Sequence, residues 1–459
     1  MRKRILGDQI LVTSDAGQFR LISENDVQED AQFVPLGDIA VGEGASAPAQ
    51  RLSELAQIFL TAQRRVVPGP LDYLILVPTL RCNLACSYCQ VSRAALDARG
   101  YDWSNETLAG VLKLVAGLKA RSIKIEFQGG EPTLRPDLIE KVMEAVPKGT
   151  EASVVICTNL QRIDERTLSL FDRKNVSIGT SLDGPLELRA KQRQASSERA
   201  DRFDSNLNMI LDRFGSAKVS ALPTVDPLAP PEPDELIDAF ADKGFESIYL
   251  RPINYQGFAR KKHAQSRETG QLWSAYHERF IERLIERNFA DRSRVLEETY
   301  FSLLLRRIFR PGSDRHVDLR NPNPLGRDYV VIDYDGRAYP TDEARMLSRS
   351  GVIDLSIGEI HTGWETAERD ALDAASRLDG DPACERCAYK PYCGRDIVDD
   401  ISRYGTIDMP REDTEFCRRH LALFDLAFRL IYSSDEKERY SVGRWLGLPG
   451  KLPVMEQAA

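Results

Sequence analysis

Three cysteines in the first quarter of the chain have a spacing that could hold an iron–sulfur cluster. Cys82, Cys86 and Cys89 form the pattern Cys-x3-Cys-x2-Cys, and thiolates are the usual ligands of such clusters. Three ligands leave the fourth iron of a [4Fe–4S] cluster without a protein ligand. An open metal position suits catalysis rather than structure, as it does for zinc. The spacing therefore predicts a catalytic cluster; a chance grouping and a partial zinc site are the alternatives.

A second group of cysteines lies almost three hundred residues further along. Cys384, Cys387 and Cys393 have the spacing Cys-x2-Cys-x5-Cys, and Cys417 follows them. Four thiolates could surround a closed iron–sulfur cluster or a structural zinc ion. The eighth cysteine, Cys157, lies within a predicted strand and is expected to contribute to packing. Two tight groups indicate two metal sites rather than disulfides.

Length and composition limit the class of protein. A chain of 459 residues is expected to form two or three domains. It is 42% hydrophobic and 29% charged, which is typical of a globular protein. No apolar run is long enough for a membrane span and no signal peptide is recognisable, so the sequence predicts a cytoplasmic protein without membrane contact. The net charge of −8 disfavours a nucleic acid partner.

Strands and helices alternate regularly after residue 70. Six apolar strand segments, each followed by a helical pattern, are predicted at residues 71–77, 123–127, 152–157, 176–180, 219–222 and 248–250. This alternation predicts an α/β fold with a parallel sheet, and six units indicate a partial (β/α)6 TIM-like barrel. The cysteine loop and the loops at 129–132, 158–159 and 181–184 each follow a strand directly. We therefore expect them to converge at the carboxyl edge of the sheet.

Smaller elements flank the predicted barrel. Alternating apolar residues predict hairpins at residues 9–22 and 329–340, each around an Asp/Gly turn. Residues 42–50 resemble a linker, and helical spacing follows at 52–60 and again at 419–436. The predicted ranges are 1–70 for a small N-terminal hairpin module, 71–315 for the barrel, 316–436 for a C-terminal cysteine-containing domain and 437–459 for a tail.

The first cysteine loop resembles the signature of the radical S-adenosylmethionine (SAM) superfamily. The stretch Cys82-Asn83-Leu84-Ala85-Cys86-Ser87-Tyr88-Cys89 has an aromatic residue before its last cysteine, as that signature does. The resemblance extends over residues 71–255 and implies that Tyr88 contributes to cofactor binding. It also implies that the amino and carboxylate groups of SAM bind the open iron. Electron transfer into the sulfonium then releases a 5′-deoxyadenosyl radical.

The stretch Gly129-Gly130-Glu131-Pro132 is similar to the family loop that contacts the amino group of SAM. Glycines allow the backbone to approach a ligand closely. Glu131 could accept a hydrogen bond from an ammonium group. A tight turn with a solvated glutamate is the alternative interpretation.

Two further segments resemble SAM-binding segments of the same family, and a third residue is a candidate by its position. Ser181 and Asp183, in Ser181-Leu182-Asp183-Gly184-Pro185, match the loop that contacts the ribose hydroxyls. Arg193 matches an arginine that pairs with the SAM carboxylate, although an ordinary surface arginine is the alternative. Asn159 ends a predicted strand and is another candidate for cofactor binding.

The second cysteine group resembles the SPASM extension of radical SAM peptide maturases. That extension holds two auxiliary clusters with seven cysteines, but Thr341 and Ile397 occupy two of the usual ligand positions here. The resemblance therefore implies a SPASM-like cluster-binding domain with one auxiliary [4Fe–4S] cluster, closed by four cysteines; structural zinc remains the alternative. It also implies that Asp342 is a catalytic base, whereas an aspartate at the end of a hairpin is the simpler interpretation.

Several short strings are more specific and resemble the His-Xaa-Ser system radical SAM maturases. They are Pro78 to Cys82, Cys89 to Arg93, Glu126 to Pro132, Cys157 to Leu160 and Pro391 to Gly394. This resemblance implies a ribosomally synthesised precursor peptide as substrate. Hydrogen abstraction from one of its residues would begin a cross-link or another modification. It also implies an electron donor of the flavodoxin or ferredoxin type, and a second maturase as a further partner.

Other functions stay open at this point. The N-terminal hairpin module could recognise a leader peptide by strand addition. A sulfatase-type maturase that oxidises a protein Ser or Cys is one alternative, and a radical SAM enzyme acting on RNA is another. A non-catalytic, metal-stabilised peptide-binding protein is the alternative outside enzymes, and it predicts no SAM cleavage.

Overall fold

The computed structural model describes residues 2–23, 61–62, 67–193, 196–263, 266–310, 319–321 and 323–448. The strands are β1 (Arg2–Leu6), β2 (Gln9–Thr13), β3 (Phe19–Ser23), β4 (Tyr73–Leu76), β5 (Ser122–Phe127), β6 (Glu151–Cys157), β7 (Val176–Ser181), β8 (Val219–Leu222), β9 (Thr224–Val225), β10 (Ser247–Ile248), β11 (Arg251–Pro252), β12 (Glu297–Glu298), β13 (Tyr329–Ile332), β14 (Arg337–Tyr339) and β15 (Gly358–Glu359).

The helices are α1 (Asn105–Ala116), α2 (Pro136–Glu144), α3 (Glu165–Phe171), α4 (Leu186–Arg193), α5 (Ser197–Phe214), α6 (Pro233–Ala241), α7 (Arg267–Ala290), α8 (Thr299–Phe309), α9 (Asp342–Arg349), α10 (Ala367–Ala375), α11 (Pro382–Arg386), α12 (Ile397–Tyr404), α13 (Glu415–Ile431) and α14 (Glu436–Trp445). Short 3-10 helices cover Pro132–Leu134, Ser216–Lys218, Phe258–Lys261 and Arg411–Asp413. In the described part of the chain, no helix is both long and apolar enough to span a membrane.

An eight-stranded sheet forms the wall of the predicted partial barrel. Its order is β15-β14-β13-β4-β5-β6-β7-β8, and β4 to β8 are parallel to their neighbours. Alternate residues such as Ile125 and Phe127 on β5 are fully buried in the main hydrophobic core. The side chains of Ser104 and Asp164 cap α1 and α3. The α/β partial-barrel prediction is confirmed.

The sixth predicted strand is shorter than expected. Of residues 248–250 only Ile248 is in a strand, and β10 pairs with β12 rather than with the main sheet. The barrel continues instead through β11, which pairs in parallel with β9 directly after β8. Pro223 separates β8 from β9, and Pro252 lies in β11. Proline has no backbone N–H to donate, so strand pairing here is limited to short pieces.

The second predicted hairpin belongs to the barrel sheet. β13 and β14 are antiparallel, as predicted, but β13 also pairs in parallel with β4. The rings of Tyr73 on β4 and Tyr329 on β13 stack with centroids 5.2 Å apart. The sheet therefore crosses the predicted boundary near residue 315. The predicted domain ranges stay predictions.

The described N-terminal residues form a three-stranded antiparallel sheet in the order β1-β2-β3. The hairpin at residues 9–22 is present, whereas β1 was not predicted. The sequence of β1 is rich in basic residues, and Arg2 and Arg4 are held by partners far along the chain, Glu385 and Asp425. The predictions for residues 42–50 and 52–60 lie outside the described residues.

The C-terminal helices close the molecule. The helix predicted at residues 419–436 is α13, with the bounds Glu415–Ile431. A further helix, α14, occupies the start of the range predicted as a tail. Trp445 at its end is 2% exposed, and its indole nitrogen donates to the Leu296 carbonyl oxygen over 2.8 Å. Residues 436–445 are therefore a packed part of the fold.

Candidate active site

The first cysteine group lies in the loop that follows β4. The backbone N–H of Cys82 donates to the Ala94 carbonyl oxygen over 3.1 Å, and that of Ala94 donates to Leu80 over 2.7 Å. The N–H of Ser87 donates to Gln192, near the end of α4, over 2.8 Å. These bonds hold both ends of the loop, because buried backbone groups need partners.

A partly buried carboxylate fixes the residue that precedes the first cysteine. Asp102 accepts hydrogen bonds from Nε and Nη2 of Arg81, each over 2.7 Å. It also accepts from Thr79 Oγ1 over 2.6 Å and from Arg135 Nη1 over 2.9 Å. Burial alone would raise the pKa of Asp102, but these hydrogen bonds, that of Arg81 foremost, lower it. The charged network anchors the start of the cysteine loop.

The two glycines of the 129–132 loop allow it to pack against the cysteine loop. A Cβ on Gly129 would lie 2.3 Å from the carbonyl oxygen of Thr79, and one on Gly130 would lie 2.2 Å from that of Arg81. The N–H groups of Gly130 and Glu131 donate to those same oxygens, over 3.0 and 2.8 Å respectively. Glycine is required here for backbone-to-backbone contact.

Replacing Gly130 with alanine is expected to destabilise the protein by about 1–3 kcal/mol, because the new methyl group would overlap fixed carbonyl oxygens. Urea unfolding of the variant would measure the loss, and iron content would show whether the cysteine loop still assembles. Gly69→Ala is the matched control, since no atom lies within 4 Å of an added Cβ there. Equal stability of the two variants would contradict this account.

The structure places Glu131 behind the loop rather than at the ligand surface. Its side chain is 1% exposed. One carboxylate oxygen accepts from the N–H and the hydroxyl of Thr133, over 3.1 and 2.7 Å. The other accepts from the N–H of Asn159 over 2.7 Å. Glu131 therefore joins two ligand-side loops, and a direct contact with SAM stays a prediction.

Asn159 lies beside the first cysteine. Its Nδ2 donates to the Oδ1 of Asn83 over 2.8 Å and lies 3.6 Å from the Sγ of Cys82. Its Oδ1 accepts from the N–H of Gln161 over 3.0 Å. Amide donors near a cluster thiolate stabilise its negative charge.

Tyr88, Asp183 and Arg193 form one buried group. Asp183 Oδ2 accepts from the Tyr88 hydroxyl over 2.7 Å and from Arg193 Nε over 3.0 Å, while Oδ1 accepts from the N–H of Thr224 over 3.0 Å. Arg193 also donates to the Ser181 carbonyl oxygen over 3.0 Å. Burial raises the pKa of Tyr88 well above its usual value. The arginine is therefore not an ordinary surface residue.

These contacts separate the predicted cofactor residues into those that support the site and those that line its cavity. Asp183 is 1% exposed and has three partners, so it supports the site instead of facing a ligand. The residues that line the cavity next to the cysteines include Tyr88, Gly129, Gly130, Asn159, Ser181 and Arg193. The cavity has a volume of about 230 Å³, and Cys82, Cys86 and Cys89 also line it. The structure thus brings the predicted loops together at one edge of the sheet.

Two features of this site were not predicted. Gly257 packs against the cysteine loop so closely that a Cβ there would lie 1.7 Å from the Gln90 carbonyl oxygen. The N–H of Ala259 donates to the carbonyl oxygen of Cys89 over 3.1 Å. In addition, Glu126 and Gln128 on and after β5 line the cavity. In the sequence, a single glycine does not indicate packing against the cysteine loop, and an alternating strand pattern does not indicate which residues line a cavity.

Asp342 has a partner of its own. Its Oδ1 accepts from Nε of Arg345 over 2.8 Å and lies 2.7 Å from Nη2. Arg345 is fully buried, and its Nη1 lies 3.8 Å from Asp333. Asp342 does not line the cavity at the cysteines. A role for Asp342 as a base stays a prediction.

The first cysteine group fits an open-sited cluster in its donor chemistry. All eight cysteines of the chain are free. Burial raises the pKa of Cys82 to about 12 and that of Cys86 to about 11, while Arg193 lowers the latter. Thiols of this kind lose their protons when iron binds. Among the described residues, no three His, Cys, Asp or Glu side chains are arranged as ligands of a single metal ion; a four-iron cluster distributes its ligands over separate irons.

The second cysteine group also forms one cluster of thiols. Burial, with a smaller contribution from the charge of Cys387, raises the pKa of Cys384 to about 12 and that of Cys417 to about 11. Cys393 has a pKa raised well above its usual value by burial and then by the three other cysteines. The guanidinium of Arg411 lowers the pKa of Cys384, Cys393 and Cys417. Four thiols beside one cation fit a closed, anionic centre.

The N-terminal sheet packs against this second group. Lys3 forms a parallel bridge with Cys387. The hydroxyl of Thr13 donates to the Ala388 carbonyl oxygen over 2.7 Å, and that of Tyr392 donates to Gly17 over 2.8 Å. Bonds of this kind between buried groups each contribute about 0.5–1.5 kcal/mol. The loop between Cys387 and Cys393 is therefore held by the first strands of the chain.

Thr341 and Ile397, at the two positions where the SPASM extension usually has cysteines, have structural roles in this protein. The Thr341 hydroxyl accepts from the N–H of Ala344 over 3.0 Å and caps α9. Ile397 is 1% exposed and packs with Ala344 and Leu347 in a separate apolar cluster. These side chains cannot ligate iron, so the residues present do not fit a second auxiliary cluster.

Replacing Cys384 with alanine is expected to lower the iron content of the anaerobically purified protein from about eight to about four atoms per chain. Iron and sulfide analysis measures this directly. Cys157→Ser, which removes a thiol outside both groups, is the control. Zinc in the wild type, with iron unchanged in the Cys384 variant, would favour the structural zinc alternative.

Comparison with known proteins agrees with this site. Residues 76–241 match the radical SAM superfamily. That match contains the cysteine loop, the 129–132 loop and the Tyr88–Asp183–Arg193 group, so this chain contains a radical SAM domain. The cofactors of such domains are a [4Fe–4S] cluster and SAM.

One similar protein aligns over much more of the chain than that domain. The chain is 25% identical to a cysteine-type anaerobic sulfatase-maturating enzyme of Clostridium novyi, over 70% of this chain and 86% of that enzyme. It is also 32% identical to the GTP 3′,8-cyclase of Chlorobaculum tepidum, over 31% of this chain and 41% of that enzyme. An uncharacterised protein of Methanocaldococcus jannaschii is 31% identical. The chain spans 39% and 41% of the lengths of the latter two proteins.

Solved structures share the fold. The enzyme anSMEcpe with bound AdoMet superposes with a TM-score of 0.62 at 19% identity, over 78% of this chain and 96% of that one. SuiB of Streptococcus suis bound to precursor peptide SuiA superposes with a TM-score of 0.53 at 13% identity, over 91% of this chain and 98% of that one. Both likenesses support the partial barrel with a C-terminal extension.

Proposed function

We infer that this chain is a radical SAM enzyme that modifies a ribosomally synthesised precursor peptide. The observation that carries this inference is the cavity shared by Cys82, Cys86 and Cys89 and the loops matching the superfamily. A cluster held by the three thiolates, with SAM on its open iron, would supply a 5′-deoxyadenosyl radical. That radical would take a hydrogen atom from a peptide residue and begin a cross-link or another modification.

The chain's own residues have distinct tasks in this proposal. Arg193 would pair with the SAM carboxylate, because it lines the cavity and its guanidinium is held by Asp183. Gly129 and Gly130 also line the cavity and would present backbone to the ligand. Asn159 would orient the cluster through its contact with Cys82. Side chains that hydrogen bonds already hold in place can position a reactant without further reorganisation.

A peptide substrate is supported by the C-terminal extension and by the similar structures. SuiB was solved with a precursor peptide, and anSMEcpe was also solved with a peptide bound. The second cysteine group would hold one closed auxiliary cluster for electron transfer. The reaction would also need a flavodoxin- or ferredoxin-type electron donor, and a second maturase would act on the same peptide. The N-terminal sheet would take part in recognising the leader.

Anaerobic incubation with SAM, a reductant and a synthetic precursor peptide of the His-Xaa-Ser type tests this proposal. We expect 5′-deoxyadenosine together with a modified peptide in the mass spectrum. A peptide deuterated at its carbon atoms should transfer deuterium to 5′-deoxyadenosine. SAM cleavage without any transfer from that peptide would refute a peptide substrate.

A sulfatase-type maturase is the second candidate, because a sulfatase-maturating enzyme matches 70% of this chain. It would oxidise a Ser or Cys side chain in a folded or nascent protein. A synthetic sulfatase peptide serves as the competing substrate in the same assay. Modification of that peptide alone would favour this candidate.

A further inference from the structure

A carboxylate and a thiol on neighbouring strands border the cavity beside the three cluster cysteines. They are Glu126 on β5 and Cys157 at the end of β6, and both line the cavity. The Sγ of Cys157 lies 3.5 Å from Oε1 of Glu126, to which it donates. Gly179 on β7 leaves room at this thiol, since a Cβ there would lie 3.1 Å from Sγ. The thiol is thus part of the same space in which a substrate would meet the cofactor.

Polar groups connect this pair with solvent. Oε2 of Glu126 accepts from the Tyr73 hydroxyl over 2.7 Å and lies 3.2 Å from Nζ of Lys124. Nε2 of Gln128 donates to Oε1 over 2.6 Å. The Lys124 side chain is 45% exposed. Protons can therefore reach Glu126, and through it Cys157, from outside the barrel.

The environment keeps Cys157 as a thiol. Burial raises its pKa well above the usual value, and the negative charge of Glu126 raises it further. Burial would also raise the pKa of Glu126, but Lys124 and the hydrogen bonds of Tyr73 and Gln128 lower it. The pair is therefore a neutral S–H beside a carboxylate, unlike a thiolate nucleophile.

An independent observation shows that the cavity still offers a polar atom to a ligand. Thr180 lines it and is 5% exposed. Its hydroxyl has no hydrogen-bond partner among the residues that the structure describes. Buried hydroxyls are normally satisfied by protein, water or ligand. The space next to Cys157 is therefore suited to a bound molecule rather than to packing alone.

We propose that Cys157 is a catalytic hydrogen-atom donor, which returns a hydrogen atom to the substrate carbon after the first abstraction. This role rests on the proposed function. The other seven cysteines have the spacing of cluster ligands, whereas Cys157 lies apart from them with a carboxylate as its partner. An S–H bond is weak enough to give its hydrogen to a carbon-centred radical.

The atoms and electrons balance as follows. The S–H bond of Cys157 breaks, a C–H bond forms on the peptide, and a sulfur-centred radical remains on Cys157. One electron from the low-potential electron donor reduces that sulfur, and a proton entering by way of Lys124 and Glu126 restores the thiol. The peptide gains and loses one hydrogen, so its mass is unchanged. The expected modification is therefore inversion of a carbon centre rather than oxidation or cross-linking.

Deuterium labelling tests this role, because the Cys157 proton exchanges with solvent. In D2O the wild type should produce a peptide with one added deuterium that resists back-exchange, and in H2O a peptide of unchanged mass. Cys157→Ala should lose this label at least tenfold while 5′-deoxyadenosine is still formed. Electron paramagnetic resonance should then detect a carbon-centred radical that accumulates. Glu126→Gln should slow repeated turnover more than the first turnover.

Val155→Ala, on the same strand and outside the cavity lining, is the matched control for folding. Iron content and urea unfolding of each variant accompany the assay. A wild-type product that has lost two hydrogens, or full labelling by Cys157→Ala, would overturn the role of Cys157 alone. Absence of any hydrogen transfer from the peptide to 5′-deoxyadenosine would instead overturn the proposed function.

Discussion

Cys86→Ala is expected to abolish 5′-deoxyadenosine formation, to the background of the assay without protein. The reason is that two remaining thiolates, Cys82 and Cys89, would leave two irons without protein ligands, and such a cluster is lost or inactive. Single-turnover assays with SAM and dithionite measure the product directly. Iron content should fall by about four atoms per chain.

Cys157→Ser is the control for this variant, because it also removes one buried thiol but no proposed ligand. It should retain the wild-type iron content. If Cys86→Ala kept both its iron and its SAM cleavage, another group would have to be the ligand. The assignment of Cys82 and Cys89 would then need to be revised as well.

Among the variants named in this article, Arg193→Met is expected to lower the free energy of unfolding most, by about 3–5 kcal/mol. The substitution leaves Asp183 as a buried charge without its ion-pair partner. The Arg193 and Asp183 side chains are 7% and 0% exposed. Burial opposes a charged arginine here, but Tyr88 and Asp183 outweigh it and raise the pKa of Arg193. Urea unfolding of the protein without its clusters measures the effect on the fold alone.

The double variant Arg193→Met with Asp183→Asn should recover part of this stability, since no unpaired charge remains. Its affinity for SAM should stay low, because the predicted partner of the SAM carboxylate is still absent. Arg202→Met removes an exposed ion pair with Glu198 on α5 and should change stability little. Wild-type stability of the single Arg193 variant would contradict the buried ion pair.

The parts of the site that could be predicted are those encoded in short contiguous segments. The cysteine loop and the glycines at 129–130 carry their information in local spacing, and the rule for parallel sheets brings them together. The fold was predictable for the same reason, because each strand–helix unit has its own hydrophobic period.

The remaining contacts join segments that are far apart in the sequence. The sequence predicted that Asp183 binds the cofactor. In the structure its carboxylate oxygens accept hydrogen bonds from Tyr88 and Thr224, which are 95 and 41 residues away. β13 was predicted as part of a hairpin, yet its pairing with β4 has no local signal. Such pairings are decided by which surfaces remain to be buried after the local elements form.

The packing of β1 and β2 against the second cysteine group affects when that group can assemble during synthesis. Arg2 donates to the Glu385 carbonyl oxygen, 383 residues later. At translation rates of about 5–20 residues per second, this partner is made roughly 20–80 s after β1 is synthesised. During that interval β1 lacks its partner. Assembly of the second centre is consequently expected to follow that of the first, whose cysteines are made about three hundred residues earlier.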